Sequence, residues 1–581
     1  MSSDDSAPMP HVPPHDPRER ALARTVGVPD LLCRVLLARG VDDPDRARRH
    51  LRPDLRELHD PFRFTQMERA VARVRQAIDQ RQRIVVHGDY DVDGIAGTVV
   101  LVKFLRLVGA DVDAFIPDRR DGYSFTEASL QAVRDGGYGL CVSVDNGTNA
   151  NKYITKIQEI GCDVLVTDHH GTSDNVAPAH TLLNPRLPDA GYPDRELAGV
   201  GVAYTLTRAL AESFSRGKKP SDELAQFLVD AMGLVALGTV ADVAPLRGEN
   251  RILVFHGLRA LAQSANPGIR ALLDSANVTN RSPGAEDIAF RIAPLINAAG
   301  RMGRATRAVD LLMSTGYQDA QEAARVLEKH NEERRKVERA LVDEVLVEAE
   351  ASADAILVHG REGWHPGVLG IVASRIAETL GKPAILVAFD GERGRGSGRS
   401  AGMLNLRDAL AACSNCLVAH GGHAAAVGLE IEQARFDEFR ASINRVAGSL
   451  VQSAGFGKPD GFAELTELDA KVVRKLDLLA TFGAGNPRPL FMSPAVRIIG
   501  RPTTDSRSND LRFRVSGNGA IFTARLRRGA SRFEEIRNLD SPVQLLYSPR
   551  LASWGEDGPV ELHVEHLKLD GERPSASAAE R

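Results

Sequence analysis

The chain has 581 residues, 43% of them hydrophobic and 26% charged, with a formal net charge of −4. One hydrophobic core stops growing near roughly 250 to 300 residues, so this length predicts three or four domains. No continuous apolar run approaches the roughly 18 residues of a membrane span, which excludes an integral membrane protein as the expectation, and the acidic balance gives nucleic-acid binding no support unless positive charge is concentrated locally.

Five cysteines, Cys33, Cys141, Cys162, Cys413 and Cys416, are too few and odd in number for a disulfide framework. Cys413 and Cys416 form one CxxC, but no second pair supplies the four ligands of a structural zinc site, so they read as ordinary thiols.

Residues 1–82 read as a polar, Pro-rich tail followed by a helical lead-in with patterns such as PDLLCRVLLARG and MERAVARVRQAI. The start has no apolar stretch after a basic segment, so no secretory signal is expected and a cytoplasmic location follows. From Ile84 the apolar runs IVVHGD, TVVLVKFLRLVGA, GLCVSVDNG and CDVLVTDHH alternate with helical stretches. Continuous apolar strands of this kind predict a parallel sheet covered on both faces, an α/β domain over 83–250.

Residues 251–351 read as a helical region ending in one long charged helix from Gln318 to about Ala351. At 1.5 Å per residue it makes a rod of roughly 50 Å, suited to holding two domains apart across a cleft; its apolar spacing is too irregular for a coiled coil. A second, smaller α/β module covers 352–456, with AILVHG, PAILVAFD, the Gly-rich GERGRGSGRSAG and HGGHAAAVGLEI. Residues 457–581 carry short alternating strands, VRIIGRP, LRFRVSG, IFTARLR, VQLLYSP and VELHVEHLKL, the pattern of an OB-like β-barrel with a polar tail. Between Arg488 and Arg528 nine arginines face only Asp505 and Asp510, a local basic region in an acidic protein.

Chemistry-bearing residues gather at strand ends. His87, Asp89, Asp91 and Asp93 follow the first strand, Asp145 follows VSV, and Asp168, His169 and His170 follow VLVT. In open α/β sheets sites form beyond the carboxyl ends of the strands, so these clusters are expected to share one crevice. Asp242 in LVALGTVADVAPL belongs there too, because an apolar helix has little reason to carry an unpaired carboxylate. Several carboxylates in close contact repel one another and require cations. Oxygen donors with one or two imidazoles suit Mn²⁺ or Mg²⁺, and two ions roughly 3.5 to 4 Å apart fit hydrolysis of a phosphodiester. GDYDVDG alone also matches a calcium loop, but it lacks the glutamate expected at loop position 12.

The ordered set HGDYDVDG, VSVDNG, VTDHH and ALGTVADVAPL, followed by INAAGR, GSGRS and HGGHAAAVGL, resembles the DHH phosphoesterase superfamily and within it the RecJ family of single-strand DNA exonucleases. The resemblance implies 5′ to 3′ removal of nucleotides from single-stranded DNA in repair and recombination, with two Mn²⁺ or Mg²⁺ ions. It implies that Asp91, Asp93, Asp145, His169 and Asp242 hold metal, that Asp89 contributes, and that His170 is a general acid or phosphate contact. His87 is left open between metal ligand and supporting residue. Gly421, Gly422 and His423 would contact the substrate backbone in a module resembling DHHA1, whose Gly-rich loop lets backbone approach phosphate. Asn297, Arg301, Ser397, Arg399 and Ser400 would bind substrate, the arginines and hydroxyls suiting a terminal phosphate. Tyr123 beside Arg119 and Arg120 would stack on a base.

Two departures from the family pattern, GTSDNVAPAH after DHH and DNG in the second motif, touch no ligand. Two other readings compete: a small-substrate DHH phosphodiesterase acting on dinucleotides or nanoRNA, which would have no use for the terminal barrel, and a catalytically silent replication scaffold, which would have lost metal ligands. The expected partners are single-stranded DNA, a single-strand-binding protein and a recombination helicase, with a monomer as the expected state.

Overall fold

The computed structural model describes residues 16–172, 175–215, 220–279, 281–349, 354–400, 402, 404–448, 458–505, 508–552 and 558–569. The tails expected at the two ends lie largely outside these residues. The chain divides into two compact units, one formed by the described residues of 55–454 with 483–485, the other by those of 1–54, 455–482 and 486–581.

In the larger unit the first sheet is built from β1 (Ile84–Gly88), β2 (Val112–Phe115), β3 (Leu140–Val144), β4 (Asp163–Thr167) and β5 (Thr181–Leu183). Its order is β2-β1-β3-β4-β5 and every pairing is parallel. β1 and β3 are buried along their whole length, which is why their sequences run continuously apolar instead of alternating. The run TVVLVKFLRLVGA is a correction: it forms most of the helix Val92–Leu107, and the neighbouring strand is the short VDAF. A helix buried nearly all round carries no polar face, so by pattern it cannot be told from a buried strand. Gly97 permits its close approach, since a Cβ there would lie 2.6 Å from Val144 Cγ1.

The helix Asp222–Ala241 is long and apolar enough to cross a membrane by length and composition alone. Its apolarity has another cause, because Leu234, Val235, Ala236 and Leu237 are buried in the core shared with the helices Val92–Leu107 and Gly199–Phe214. The long helix is Tyr317–Ala349. Ala320, Ala324 and Leu327 of its first half pack in the core of the first sheet, and Leu341, Val342 and Val345 of its second half pack against the second module, so it does join two cores.

The second sheet comprises β6 (Leu357–Glu362), β7 (Ala384–Asp390), β8 (Arg393–Arg399), β9 (Ala419–Gly422) and β10 (Ala426–Glu432), ordered β6-β7-β8-β10-β9. Only the β6–β7 pairing is parallel. The Gly-rich segment GERGRGSGRSAG contains strand β8. Its glycines answer to packing, because a Cβ at Gly394 or Gly398 would lie 2.6 Å from Phe389 or 2.8 Å from Val427. Cys413 and Cys416 are both buried free thiols.

The smaller unit holds β11 (Gly461–Phe462), β12 (Phe491–Met492), β13 (Arg497–Asp505), β14 (Asp510–Gly517), β15 (Ala520–Leu526), β16 (Val543–Leu551) and β17 (Val560–Leu569). β16, β17, β15, β14 and β13 are neighbours in that order. A bridge from Val496 to Val543 returns the first of these strands in the chain to β16 and closes a five-stranded barrel. The helix Asp30–Ala38 contributes Leu31, Leu32, Val35 and Leu36 to the same core as Phe491, Leu545 and Tyr547. Arg34, buried at its foot, pairs with Glu19 at 3.1 Å and Glu467 at 2.9 Å, and Arg39 pairs with Asp460 at 2.8 Å. The lead-in up to residue 54 is thus part of the barrel unit, although more than 400 residues of chain separate Arg34 from Glu467 and Arg39 from Asp460, whereas the lead-in helix Met67–Asp79 packs in the core of the first sheet.

Candidate metal centre and phosphate cavity

Five of the expected carboxylates converge at the carboxyl ends of β1, β3 and the helix Asp222–Ala241. Asp91 is the N-cap of the helix Val92–Leu107, its Oδ1 accepting from the N–H groups of Asp93 (2.9 Å) and Gly94 (3.1 Å). Asp93 is fully buried and accepts from the N–H of Gly199 (2.8 Å) and of Val200 (2.9 Å), at the start of the helix Gly199–Phe214, where the helix dipole favours negative charge. Asp145 leaves β3 in the left-handed region, φ +62°, an uncommon conformation for a residue with a side chain. Asp242 caps the C-terminus of the helix Asp222–Ala241.

His169 Nε2 lies 3.1 Å from Asp145 Oδ1, 3.7 Å from Asp242 Oδ2 and 3.9 Å from Asp93 Oδ2. Three groups of donor atoms lie within 4.8 Å of one another: Asp89, Asp91 and Asp145; Asp93, His169 and Asp242; and Asp145, His169 and His170. Asp145 belongs to two of them and so does His169, and the two share one group, so the arrangement has room for two ions sharing ligands.

The electrostatics ask for cations. Burial, and then the neighbouring carboxylates, push Asp89, Asp93 and Asp145 well above the usual carboxylate range. Burial and Asp91 raise Asp242 to about 7. Burial, with His170 next to it, lowers His169 to about 3, which leaves a neutral imidazole able to donate a lone pair. Asp89 Oδ1, Asp145 Oδ1 and His169 Nε2 are all buried without a hydrogen-bond partner. Buried polar atoms are rarely orphaned, and atoms of this donor chemistry, aimed at one another, fit a divalent ion.

His170 has a different environment. Its Nδ1 is 2.8 Å from Asp168 Oδ1 and its Nε2 is 2.9 Å from the Tyr123 hydroxyl. Asp168 also accepts from the N–H groups of Thr148 (2.9 Å), His169 (2.7 Å) and His170 (3.1 Å). Burial opposes charge on His170, but the bond to Asp168 outweighs it and raises the imidazole to about 9. Tyr123 was expected as a stacking platform. The structure turns its hydroxyl onto His170 and leaves the residue 49% exposed.

His87 stands apart from all three donor groups. Its ring stacks between Phe125 (4.2 Å) and Phe115 (5.3 Å), with Nε2 2.9 Å from the Ser129 hydroxyl, and burial lowers it to about 4. A ring held by two aromatic faces and a hydroxyl on the helix Glu127–Gly136 is committed to the core, so the metal-ligand alternative for His87 is not what the geometry supports.

Next to the cluster is a cavity of about 570 Å³ whose lining includes Arg119, Arg120, Arg301, His365, Ser397 and Arg399. Arg119 lies over the Tyr90 ring at 4.2 Å, Arg301 donates to the Gly367 carbonyl at 2.8 Å, and Arg399 donates to Ser397 Oγ at 3.0 Å. Burial, followed by Arg119, Arg334 and Arg399, pushes the Arg301 guanidinium down to about 9; it stays charged at neutral pH, so several arginines crowd a lining in which Asp118, paired with Arg120 at 3.1 Å, is an acid. Asn297 and Ser400 do not line this cavity. Asn297 is half-buried on the helix Ala293–Met302, and buried Ser400 uses its Oγ to accept from the Gly402 N–H at 3.2 Å, fastening the turn after β8. Gly421, Gly422 and His423 lie on an exposed edge, and burial, followed by the charges of His170 and Arg186, lowers the His423 imidazole.

Sequence reasoning missed the glycines that let the carboxylates in. A Cβ at Gly199 would lie 2.6 Å from Asp145 Oδ1, one at Gly238 2.6 Å from Asp93 Oδ1, and one at Gly94 2.5 Å from the Asp89 nitrogen. Gly94 was legible inside GDYDVDG; Gly199 and Gly238 sit in apolar helices with no local signal. His365 was missed as well, although WHPG precedes the helix whose first turn borders the cavity.

Residues 83–239 match the N-terminal domain of the DHH family, and residues 353–449 match the DHHA1 domain. With the cluster at the sheet's carboxyl edge, these matches define a DHH phosphoesterase carrying a DHHA1 module. Residues 459–566 match the RecJ OB domain. The chain is 36% identical over 575 residues to the single-stranded-DNA-specific exonuclease RecJ of Dickeya dadantii, covering 95% of this chain and 98% of that one. It is 33% identical to RecJ of Bacillus subtilis over 82% of its own length and 60% of that protein's. The crystal structure of RecJ from Thermus thermophilus in complex with Mn²⁺ superposes with a TM-score of 0.80 at 28% identity, covering 98% of this chain and 80% of that one. The chain belongs to the RecJ family of single-stranded-DNA-specific exonucleases.

Proposed function

We propose that the chain is a metal-dependent exonuclease that removes 5′-mononucleotides from the 5′ end of single-stranded DNA, in DNA repair and recombination, and that it works in the cytoplasm. The observation that carries the reading is the trio of buried donor atoms without partners, Asp89 Oδ1, Asp145 Oδ1 and His169 Nε2, inside a crowd of carboxylates. Asp89, Asp91, Asp93, Asp145, His169 and Asp242 would hold two Mn²⁺ or Mg²⁺ ions. Bound there, the ions would supply Lewis acidity and a nucleophilic water at neutral pH.

In the reaction the water oxygen bonds to phosphorus as the P–O3′ bond breaks. The water's proton passes to solvent, the O3′ leaving group takes one from His170, which solvent reprotonates for the next turnover, and the remaining strand keeps a 5′-phosphate. His170 suits this donation because Asp168 holds its Nδ1 and keeps it protonated at neutral pH. The arginine-lined cavity would receive the terminal 5′-phosphate through Arg119, Arg120, Arg301, Ser397 and Arg399, which supplies polarity. The glycine pair Gly421 and Gly422, with His423, would lie along the substrate backbone.

End-labelled single-stranded, duplex, 5′-blocked and RNA substrates, each with Mg²⁺ and Mn²⁺, test the proposal. Linear single strands should shorten from the 5′ end with either ion, and a blocked 5′ end should resist. Equal shortening from the 3′ end would remove the polarity, and no cleavage with any divalent ion would remove the nuclease.

A further inference from the structure

Arg186 follows β5, outside every motif read from the sequence. Asn184, fully buried just before it, donates to Thr148 Oγ1 (2.9 Å) and to the His170 carbonyl (3.0 Å), while its Oδ1 accepts from the Arg186 N–H (2.9 Å). This loop is therefore fastened to the backbone of the DHH segment itself. Arg186 leaves the fifth strand at the same carboxyl edge where His169 and His170 leave the fourth.

The guanidinium of this half-buried arginine makes no hydrogen bond or ion pair with any described residue. Its charge is nevertheless felt at His169 and Asp242 on the metal side and at His423 on the DHHA1 side. A structural arginine whose charge reaches Asp242 would be expected to pair with a carboxylate, since an unpaired, partly desolvated charge costs free energy. This one lies close enough for its charge to act on residues of the metal cluster and of the GGH edge, and it pairs with no described residue of either.

The charge count gives it a task. Five carboxylates and a phosphodiester bring six negative charges against four on two divalent ions, and the pentacoordinate transition state concentrates negative charge on the non-bridging oxygens. We propose that Arg186 is a catalytic residue that binds a non-bridging oxygen of the scissile phosphate and neutralises the charge that develops there. The inference rests on the nuclease reading above and adds no bond change to it. The cavity arginines act on a different group, the terminal phosphate, so Arg186 governs the rate of cleavage and they govern the choice of end.

The test uses the full-length chain, Arg186→Gln and Arg186→Lys, a 5′-phosphorylated single-stranded oligonucleotide and Mn²⁺. Arg186→Gln should lower kcat at least tenfold, with KM and the Mn²⁺ affinity measured calorimetrically both within twofold of wild type, and Arg186→Lys should recover part of the loss. A fall in kcat of less than tenfold in Arg186→Gln overturns the inference. So does a loss matched by weakened Mn²⁺ binding, which would make Arg186 a support for the ligand loop. A wild type that cleaves no DNA with any divalent ion overturns the nuclease reading and the inference together, whereas an active wild type with an equally active variant overturns the inference alone.

Discussion

Asp145 Oδ1 and His169 Nε2 stand 3.1 Å apart, both buried and neither with a hydrogen-bond partner. Such a pair makes sense when a third atom sits between them. Without cations the cluster is a store of like-charge repulsion. Adding Mn²⁺ should therefore raise the thermal midpoint, by the equivalent of about 2.7 kcal/mol at a hundredfold excess over Kd. Asp145→Asn should abolish hydrolysis yet raise the midpoint in EDTA by about 2 °C, because one of the crowded charges has gone. Melting curves with EDTA and with Mn²⁺ measure both effects; a midpoint indifferent to Mn²⁺ in the wild type would contradict them.

Gly199 and Gly238 give a second test, because each holds a carboxylate against helix backbone. Gly199→Ala would bring a Cβ to within 2.6 Å of Asp145 Oδ1, and Gly238→Ala would do the same to Asp93 Oδ1. Neither carboxylate has room to retreat, so Mn²⁺ affinity should fall by about tenfold to a hundredfold in each variant, as it does when groups orienting metal ligands are disturbed. Calorimetric titration checks this, and unchanged affinity would show that the cluster is more pliable than its burial implies.

Tyr123→Phe removes the hydroxyl from His170 Nε2 while leaving the ring. One hydrogen bond of about 1 kcal/mol corresponds to roughly a fivefold lower kcat. Steady-state kinetics should show that loss with KM little changed. If base stacking were the residue's whole contribution, the phenylalanine would behave as wild type.

Lys103 lies in the helix Val92–Leu107, away from the cluster, where burial lowers it to about 8. Its folded pKa is below the unfolded value near 10.4, so the charged form costs stability at neutral pH, and the cost disappears as pH rises from about 8 to about 10.5. Lys103→Met should be more stable than wild type by about 1 to 3 kcal/mol at pH 7, with the gap closing above pH 10. Denaturant titrations at pH 7 and pH 10.5 would show it; a gap independent of pH would assign the gain to packing.

The strands that end in ligands were legible because a fully buried parallel strand is short, apolar and followed at once by its polar cargo, as in VSVD and VLVTDHH. The helix Val92–Leu107 misled for the same reason, being apolar on all sides. Nothing local marked Arg393–Arg399 as a strand, because its glycines give no apolar alternation, whereas in the sheet they answer to Phe389 and Val427. The union of Leu32 and Leu36 with Tyr547 in one core could not be read at all, since no local pattern records which distant segment covers an amphipathic helix. In the site, titratable residues announced themselves, but the glycines that admit them did not. Ser400 shows why a hydroxyl in a Gly-rich segment is ambiguous in sequence, since it fastens a turn as readily as it binds phosphate.

Asp145 and His169, as proposed, help to hold two neighbouring ions. Calorimetric titration of Mn²⁺ into the metal-free, full-length chain, followed by electron paramagnetic resonance of the loaded protein, tests it most directly. Two ions per chain with a spin-coupled spectrum are expected, with loss of the coupling in Asp145→Asn. A single ion, or two ions with independent spectra, would contradict it.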